Sequence, residues 1–258
     1  MFRPVRSLKT TDLSGFTCLM PTVSIGNVGQ LSLDLIIATL PCEQIGSIVH
    51  KAVVPLFGRN ALRKSSRKPT TAIDVFVCKE HKLLLIQVRS SVVKRYRHCF
   101  VEDLYSWLSS KKVSQLLVLS SLDAVERQDK AIASPDQIYF KVPDLKLDSN
   151  QINDLKATGA KEFTEPSCAE FPLDDSDTYP GSGFLPSLLN NSAKLEGNVT
   201  AIFLYCLEGD NRPQGFLLAS FAMKLLGISN ENKVDLRLKS PHSWAVLDEQ
   251  IESHLTMF

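Results

Sequence analysis

Apolar and polar positions along this chain follow two rhythms, and the switches between them mark its elements. The run FTCLMPTVSI (Phe16–Ile25), interrupted by Pro21, predicts a buried strand, and from Val28 onward Leu31, Leu35, Ile36 and Leu40 recur at helical spacing. The stretch SIGNVGQLSLD (Ser24–Asp34) joins them as a strand-turn-helix unit. Ile45–Val54 suits one or two short strands, and the basic segment GRNALRKSSRKPT (Gly58–Thr70) reads as an exposed loop. Ala72–Cys78 and Lys82–Val88 predict a hairpin around Lys79, Glu80 and His81, followed by an amphipathic helix over Lys94–Lys111.

Further along, Ser114–Ser121 (SQLLVLSS) is apolar without alternation, as expected of a central parallel strand covered on both faces. Ile138–Val142 predicts another strand. Acidic and polar residues then dominate with weak periodicity from about 144 to 180, which suggests a peripheral insertion. A short helix over Phe184–Lys194, a strand over Val199–Leu207 and a helix over Pro213–Leu226 follow. The last is apolar on most faces and should be largely buried. Apolar strands alternate with helices, so the expected fold is α/β, a three-layer helix-sheet-helix sandwich with a mixed, mostly parallel sheet. No repeat and no Pro- or Gly-rich linker divides residues 1–258, which favours a single domain ending in a tail at about 248–258.

Composition narrows the functional classes. With 258 residues and 44% hydrophobic content the chain can bury a substantial core, and 29 basic against 28 acidic residues leave no global field to gather nucleic acid or anionic membrane. Neither partner is expected. The N-terminus MFRPVRSLKTTDLSG lacks the apolar region of a signal peptide, and no apolar stretch is long enough for a membrane span. Six scattered cysteines without a C-x-x-C pair suit reduced thiols in the cytoplasm and nucleus, where the sequons at Asn190 and Asn198 would stay unused.

The candidate chemistry is incomplete at each place it surfaces. Gly26 and Gly29 evoke a phosphate cradle, but Ser24 stands where a dinucleotide fingerprint needs glycine, and no G-K-[ST] follows. Their structural reading is a turn made possible by Gly26, a helix capped by Asn27 and close helix-sheet packing at Gly29. No histidine belongs to a metal-binding motif, and His98 and Cys99, adjacent on a helix, diverge too far to chelate. Ser120 and Ser121 end a buried strand without a nucleophile elbow and are expected to serve a turn. Glu208 and Asp210 follow a strong strand, where a catalytic pair or a capping turn before Pro213 would fit equally. The basic groups Arg59–Lys68 and Lys94–Arg97, with Tyr96 among them, suit phosphates or an acidic protein surface. These sites imply no catalytic residues, no cofactor and no metal.

Taken in order, LMPTVSIGNVGQLSLDLIIATL (Leu19–Leu40), VPLFGRN (Val54–Asn60), IQVRSSVVK (Ile86–Lys94), LLVLSSLDAVERQD (Leu116–Asp129), DDSDTYPGSGFLPSL (Asp174–Leu188), YCLEGDN (Tyr205–Asn211) and PHSWAVL (Pro241–Leu247) resemble the proteasome assembling chaperone family over nearly the whole chain. Gly26, Asn27 and Gly29 lie in its most recognisable segment. The resemblance implies a fold like that of nucleoside phosphorylases without their chemistry. It also implies a non-enzymatic chaperone that forms a heterodimer with proteasome assembly chaperone 1, promotes assembly of proteasome α subunits into the α-ring and prevents incorrect ring association. C-terminal tails in this family can enter α-ring pockets through a hydrophobic residue, a tyrosine and a final residue. Here Thr256 and Met257 occupy the first two places, so the motif is not met, although Leu255, Met257 and Phe258 are apolar enough to bind a partner. The other reading of this tail is that it folds back on the core. An apolar patch covered by the partner is expected, with the helix around Phe216–Leu226 beneath it. A nucleoside- or nucleotide-binding enzyme is the alternative from another class.

Overall fold

In the computed structural model, described for residues 2–4, 12–63, 68–126, 137–143, 149–164, 178–228 and 237–245, uninterrupted apolar runs become the middle strands of a large sheet. Its strands are β1 (Phe2–Pro4), β2 (Thr17–Pro21), β3 (Glu43–Ile48), β6 (Ile73–Cys78), β7 (Leu83–Val88), β8 (Gln115–Asp123), β9 (Tyr139–Lys141), β10 (Lys161–Glu162) and β11 (Asn198–Cys206). A second, two-stranded sheet pairs β4 (Phe57–Gly58) with β5 (Thr70–Thr71). The helices are α1 (Val28–Thr39), α2 (Arg97–Ser110), α3 (Ser149–Ala157), α4 (Leu185–Asn190) and α5 (Arg212–Leu225).

The strand order is β1-β3-β6-β7-β2-β8-β11-β9-β10. Pairing is parallel through the centre, β7-β2-β8-β11, and antiparallel along the β1-β3-β6-β7 flank. On the other side β9 runs antiparallel to β11 and parallel to the edge strand β10. Every residue of β6 and β7 is buried, which explains their lack of polar alternation.

Successive side chains of a strand point to opposite faces, so the sheet feeds two cores. On one face Cys18, Met20, Leu116 and Val118 meet Phe100, Leu104, Tyr105 and Leu108 of α2. The buried Tyr105 hydroxyl donates to the Leu188 carbonyl of α4 at 2.7 Å, joining the two helices of that layer. On the opposite face Leu19, Leu85, Leu117 and Ile202 meet Leu33, Ile36 and Ile37 of α1 and Leu218 and Ala222 of α5. Helix α1 is buried nearly all round because it lies between the sheet and α5. Ser32 Oγ contacts the carbonyls of Val28 at 2.7 Å and, across the helix pair, Gly215 at 3.0 Å.

Three expectations are refined here. Ser120 and Ser121 are inside β8 rather than in a turn, and both are fully buried. The loop Gly58–Thr70 is partly fixed: its ends pair as β4 and β5, Leu62 is buried, and the Arg63 guanidinium donates to the Cys42 carbonyl at 3.2 Å. Within 144–180, α3 and β10 extend the far edge of the sheet. There Phe163 packs on Phe203 with ring centroids 5.2 Å apart and on Tyr179 at 5.4 Å. The tail carrying Leu255, Met257 and Phe258 lies outside the described residues.

Candidate functional site

Open α/β sheets bind ligands beyond the C-terminal ends of their parallel strands, so the first place to look is the loop from β2 into α1. This loop is filled by the chain itself. Thr22 N–H donates to the Leu119 carbonyl at 3.0 Å, and its hydroxyl meets Ser120 Oγ at 2.7 Å. Ser121 donates its hydroxyl to the Ile25 carbonyl at 2.6 Å, so at 2.7 Å it accepts from Ser24. Adjacent serines pointing to opposite faces of β8 thus hold both ends of the loop. From the other side, Ile25 N–H donates to the Gly181 carbonyl at 2.8 Å.

Gly26 and Asn27 both adopt left-handed backbone, at φ 64° and 54°. Asn27 therefore does not cap α1: it is exposed and its side chain makes no cap hydrogen bond. Its short side chain makes the left-handed conformation tolerable instead. A Cβ on Gly26 would sit 2.5 Å from Asn211 Nδ2 and 2.9 Å from Cys206 Sγ, so the space a phosphate would need against this backbone is already occupied. Asn211 is held there by donating to the carbonyls of Leu207 at 2.8 Å and Gly209 at 3.2 Å. At Gly29 a Cβ would come within 2.9 Å of the Leu119 carbonyl carbon, so α1 touches β8 backbone to backbone.

The thiol nearest this loop is not activated. Burial pushes Cys206 up, only partly offset by the Ser121 hydrogen bond, which leaves it protonated at neutral pH and a poor nucleophile. Cys42 is pushed up to about 12, first by burial and then by Cys78. The five described cysteines are all free thiols. Asp210 is taken by Arg212, whose backbone N–H and Nε donate to Oδ1 at 3.1 and 2.9 Å. That pairing, mainly the side-chain bond, lowers its pKa and makes the turn a helix-entry device.

Two polar groupings escaped the reading by pattern. His50, Cys99 and Asp103 place ligand atoms within 4.8 Å of one another beside a cleft of about 290 Å³ that includes Phe100, Leu104 and Trp107. Ala52 N–H donates to His50 Nδ1 at 3.0 Å, which puts the ring proton on Nε2, aimed at Asp103 Oδ2 2.9 Å away. A metal at Nε2 would move that proton to Nδ1 and leave the Ala52 N–H facing a donor, so the trio fits a hydrogen-bonded dyad better than a metal centre. The second grouping ties α1 to the sheet: Arg89 donates twice to Asp34, at 2.6 and 3.0 Å, and Gln87 Nε2 donates to Asp34 at 2.6 Å. A sequence signal existed, since Gln87 and Arg89 share one face of a strand, but their partner lies more than fifty residues away.

The helix expected as core beneath an apolar patch is largely buried. Residues Leu218, Ala219, Ala222 and Met223 of α5 are buried against α1 and the sheet, and Trp244 packs on Phe216 with ring centroids 5.8 Å apart. Among the described residues the exposed large apolar side chains lie mostly in segments 49–57 and 93–96.

Comparison with known proteins agrees with this geometry. A family model described as PAC2 family matches residues 18–231. The human protein named "Proteasome assembly chaperone 2" is 32% identical over 247 residues, covering 92% of each chain. The Xenopus laevis protein of the same name is 31% identical and covers 96% of each. Among solved structures, Pyrococcus furiosus PbaA, titled an archaeal homolog of proteasome-assembly chaperone, superposes with a TM-score of 0.65 over 99% of this chain and 95% of its own at 11% identity. Pyrococcus furiosus PbaB, titled an archaeal proteasome activator, gives 0.64 over 99% and 96% at 12% identity. At such identities these structures establish the shared fold.

Proposed function

The chain belongs to the PAC2 family, and from that premise we propose that it is a non-catalytic proteasome assembly chaperone. It pairs with proteasome assembly chaperone 1 as a heterodimer, and the pair promotes assembly of the α subunits into a ring and prevents incorrect ring association. The observation that carries this reading is the near full-length match to relatives named for that role, at 31–32% identity over more than nine-tenths of both chains. Its place of work is the cytoplasm and nucleus, a reading supported by the free thiols.

The filled strand edge supports the non-enzymatic part. Where an α/β enzyme of this layout would open a crevice, Asn211 and Cys206 abut Gly26, the serines of β8 are engaged by the loop, and the nearby thiol is held in its inert form. Two experiments test the proposal. Mass spectrometry of proteins that copurify with the tagged chain should recover the partner chaperone and α subunits, and recovery of neither would contradict it. Calorimetric titration with phosphate, nucleosides and dinucleotides should give no heat of binding, whereas micromolar affinity for any of them would favour the enzyme alternative.

A further inference from the structure

Phe57 is 80% exposed, Val49 54% and Val54 49%, with Leu56 beside them at 41%; Val93 and Tyr96, from a second segment, are 41% and 39% exposed. The segments are fastened together. Val53 bridges Val92 in antiparallel fashion, Val93 N–H donates to the Ala52 carbonyl at 2.8 Å, and Val54 N–H donates to the Ser91 carbonyl at 3.3 Å. Ala52, Val53 and Val92 are buried beneath. The exposed residues thus flank a bridge that holds the two segments together, and such a fastened apolar patch is a mark of a binding surface.

The charges within the two segments are all basic. Neither residues 44–73 nor residues 81–101 contain an aspartate or glutamate. Lys51 Nζ lies 6.0 Å from the Tyr96 ring centroid and Arg95 Cζ 5.8 Å from it, so two cations meet at one edge of the patch, and Arg59 and Lys94 flank the segments in sequence. Of the next acids along α2, Glu102 is paired with Lys194, and Asp103, hydrogen-bonded to His50 at 2.9 Å, leaves one exposed carboxylate beside the patch. In a chain of net charge +1 this is a local concentration rather than a global bias.

These features select the occupant. A second copy would set like charges against each other across a two-fold axis, which disfavours self-pairing. Phe57 and Tyr96 alone present rings to a base, and Val49, Val54, Leu56 and Val93, which make up the rest of the patch, offer nucleic acid neither stacking nor hydrogen bonds. Apart from Phe57 the apolar side chains are about half covered, which leaves little to insert into a bilayer and suits the shallow surface of another protein. An apolar centre suits a face that stays covered in a lasting pair more than one bared between transient encounters. We propose that this face receives an acidic, apolar-centred surface of the homologous partner chaperone, an inference that rests on the chain being one half of a chaperone pair.

The test coexpresses the chain with proteasome assembly chaperone 1 and measures pairing by native mass spectrometry and titration at two salt concentrations. Two variants are compared with the parent: Val54→Ser with Phe57→Ser, and Lys51→Glu with Lys94→Glu and Arg95→Glu. All five side chains are partly or fully exposed, so the fold should survive, and circular dichroism verifies that it does. Pairing should weaken about tenfold or more in each variant, the charge reversal losing most at low salt. Residues 49–57 and 91–96 should gain hydrogen-exchange protection in the pair. Parent and variants pairing equally, without that protection, would overturn the face alone. A parent that does not pair would instead overturn the chaperone-pair reading, and this inference with it. Binding of the unpaired parent to phosphatidylserine vesicles or to single-stranded DNA, lost in the variants, would also overturn the assignment.

Discussion

A single methyl group at Gly29 would have to enter the space held by the Leu119 backbone, and neither α1 nor the central strand β8 can retreat without unpacking its core. Gly29→Val should therefore destabilise the fold by about 3 kcal/mol or more, whereas Gly58→Ala, with nothing within 4 Å of the added Cβ, should be nearly neutral. Thermal and urea unfolding of the two variants checks the contrast. Asp74 offers a test of a different kind. Burial raises its pKa more than the hydrogen bonds from Thr71, the charge of Arg89 and the Gln44 side chain lower it. The folded state then holds this proton more tightly than the unfolded chain does. Its stabilising contribution is complete below the unfolded aspartate value of about 3.9 and is lost as pH rises through the raised folded value. Asp74→Asn should remove this dependence, so that wild-type stability falls relative to the variant between acid and neutral pH in a series of urea titrations. A gap that widened in the opposite direction would contradict the assignment. The glycine turn was legible in the sequence because glycines beside an apolar run have few uses. The left-handed Asn27 was not, since an asparagine before a helix serves equally as cap or as turn.

Between elements, the tie that needs explaining is the buried pair linking α1 to the end of β7. Asp34 and Arg89 side chains are 6% and 16% exposed. Burial works to lower the Arg89 pKa, and Asp34, with the charge of Asp74, more than offsets this, so the guanidinium stays charged. Removing one partner leaves a charge stranded in the core, while removing both leaves apolar surface. Arg89→Met should cost about 3–5 kcal/mol, and adding Asp34→Leu should return much of that loss, giving a large coupling in a double-mutant cycle measured by chemical denaturation. Simple additivity would show that the pair does not act as a unit. Elements with long apolar patterns, such as α1, the β6-β7 hairpin, β8 and β11, could be read from the chain because each buries its own periodic face. Strand β9 falls within the predicted Ile138–Val142, but β10 spans only two residues and owes its place to pairing with β9, which no local pattern records. Ser120 and Ser121 were misread for a similar reason, because their hydrogen-bond partners arrive from almost a hundred residues away.

At the scale of the molecule, the sheet separates two surfaces with different fates. The loop edge where an enzyme would act is occupied by the chain's own side chains, and the bridged segments 49–57 and 91–96 keep an apolar, basic face in solvent. Sequence could not place that face, since Val53 and Val92 are buried while their neighbours Val54 and Val93 are exposed, and only the pairing of the two segments decides which is which. Such a chain should be less stable alone than in its complex, because a partner that binds only the folded state stabilises it by mass action. The melting temperature should accordingly rise with partner concentration, and an unchanged value would weigh against an obligate pair. The most direct measurement of the central claim is native mass spectrometry of the purified chain mixed with proteasome assembly chaperone 1 and then with proteasome α subunits. A one-to-one heterodimer that goes on to carry α subunits is the predicted result. A chain that stays monomeric in the presence of both would contradict it.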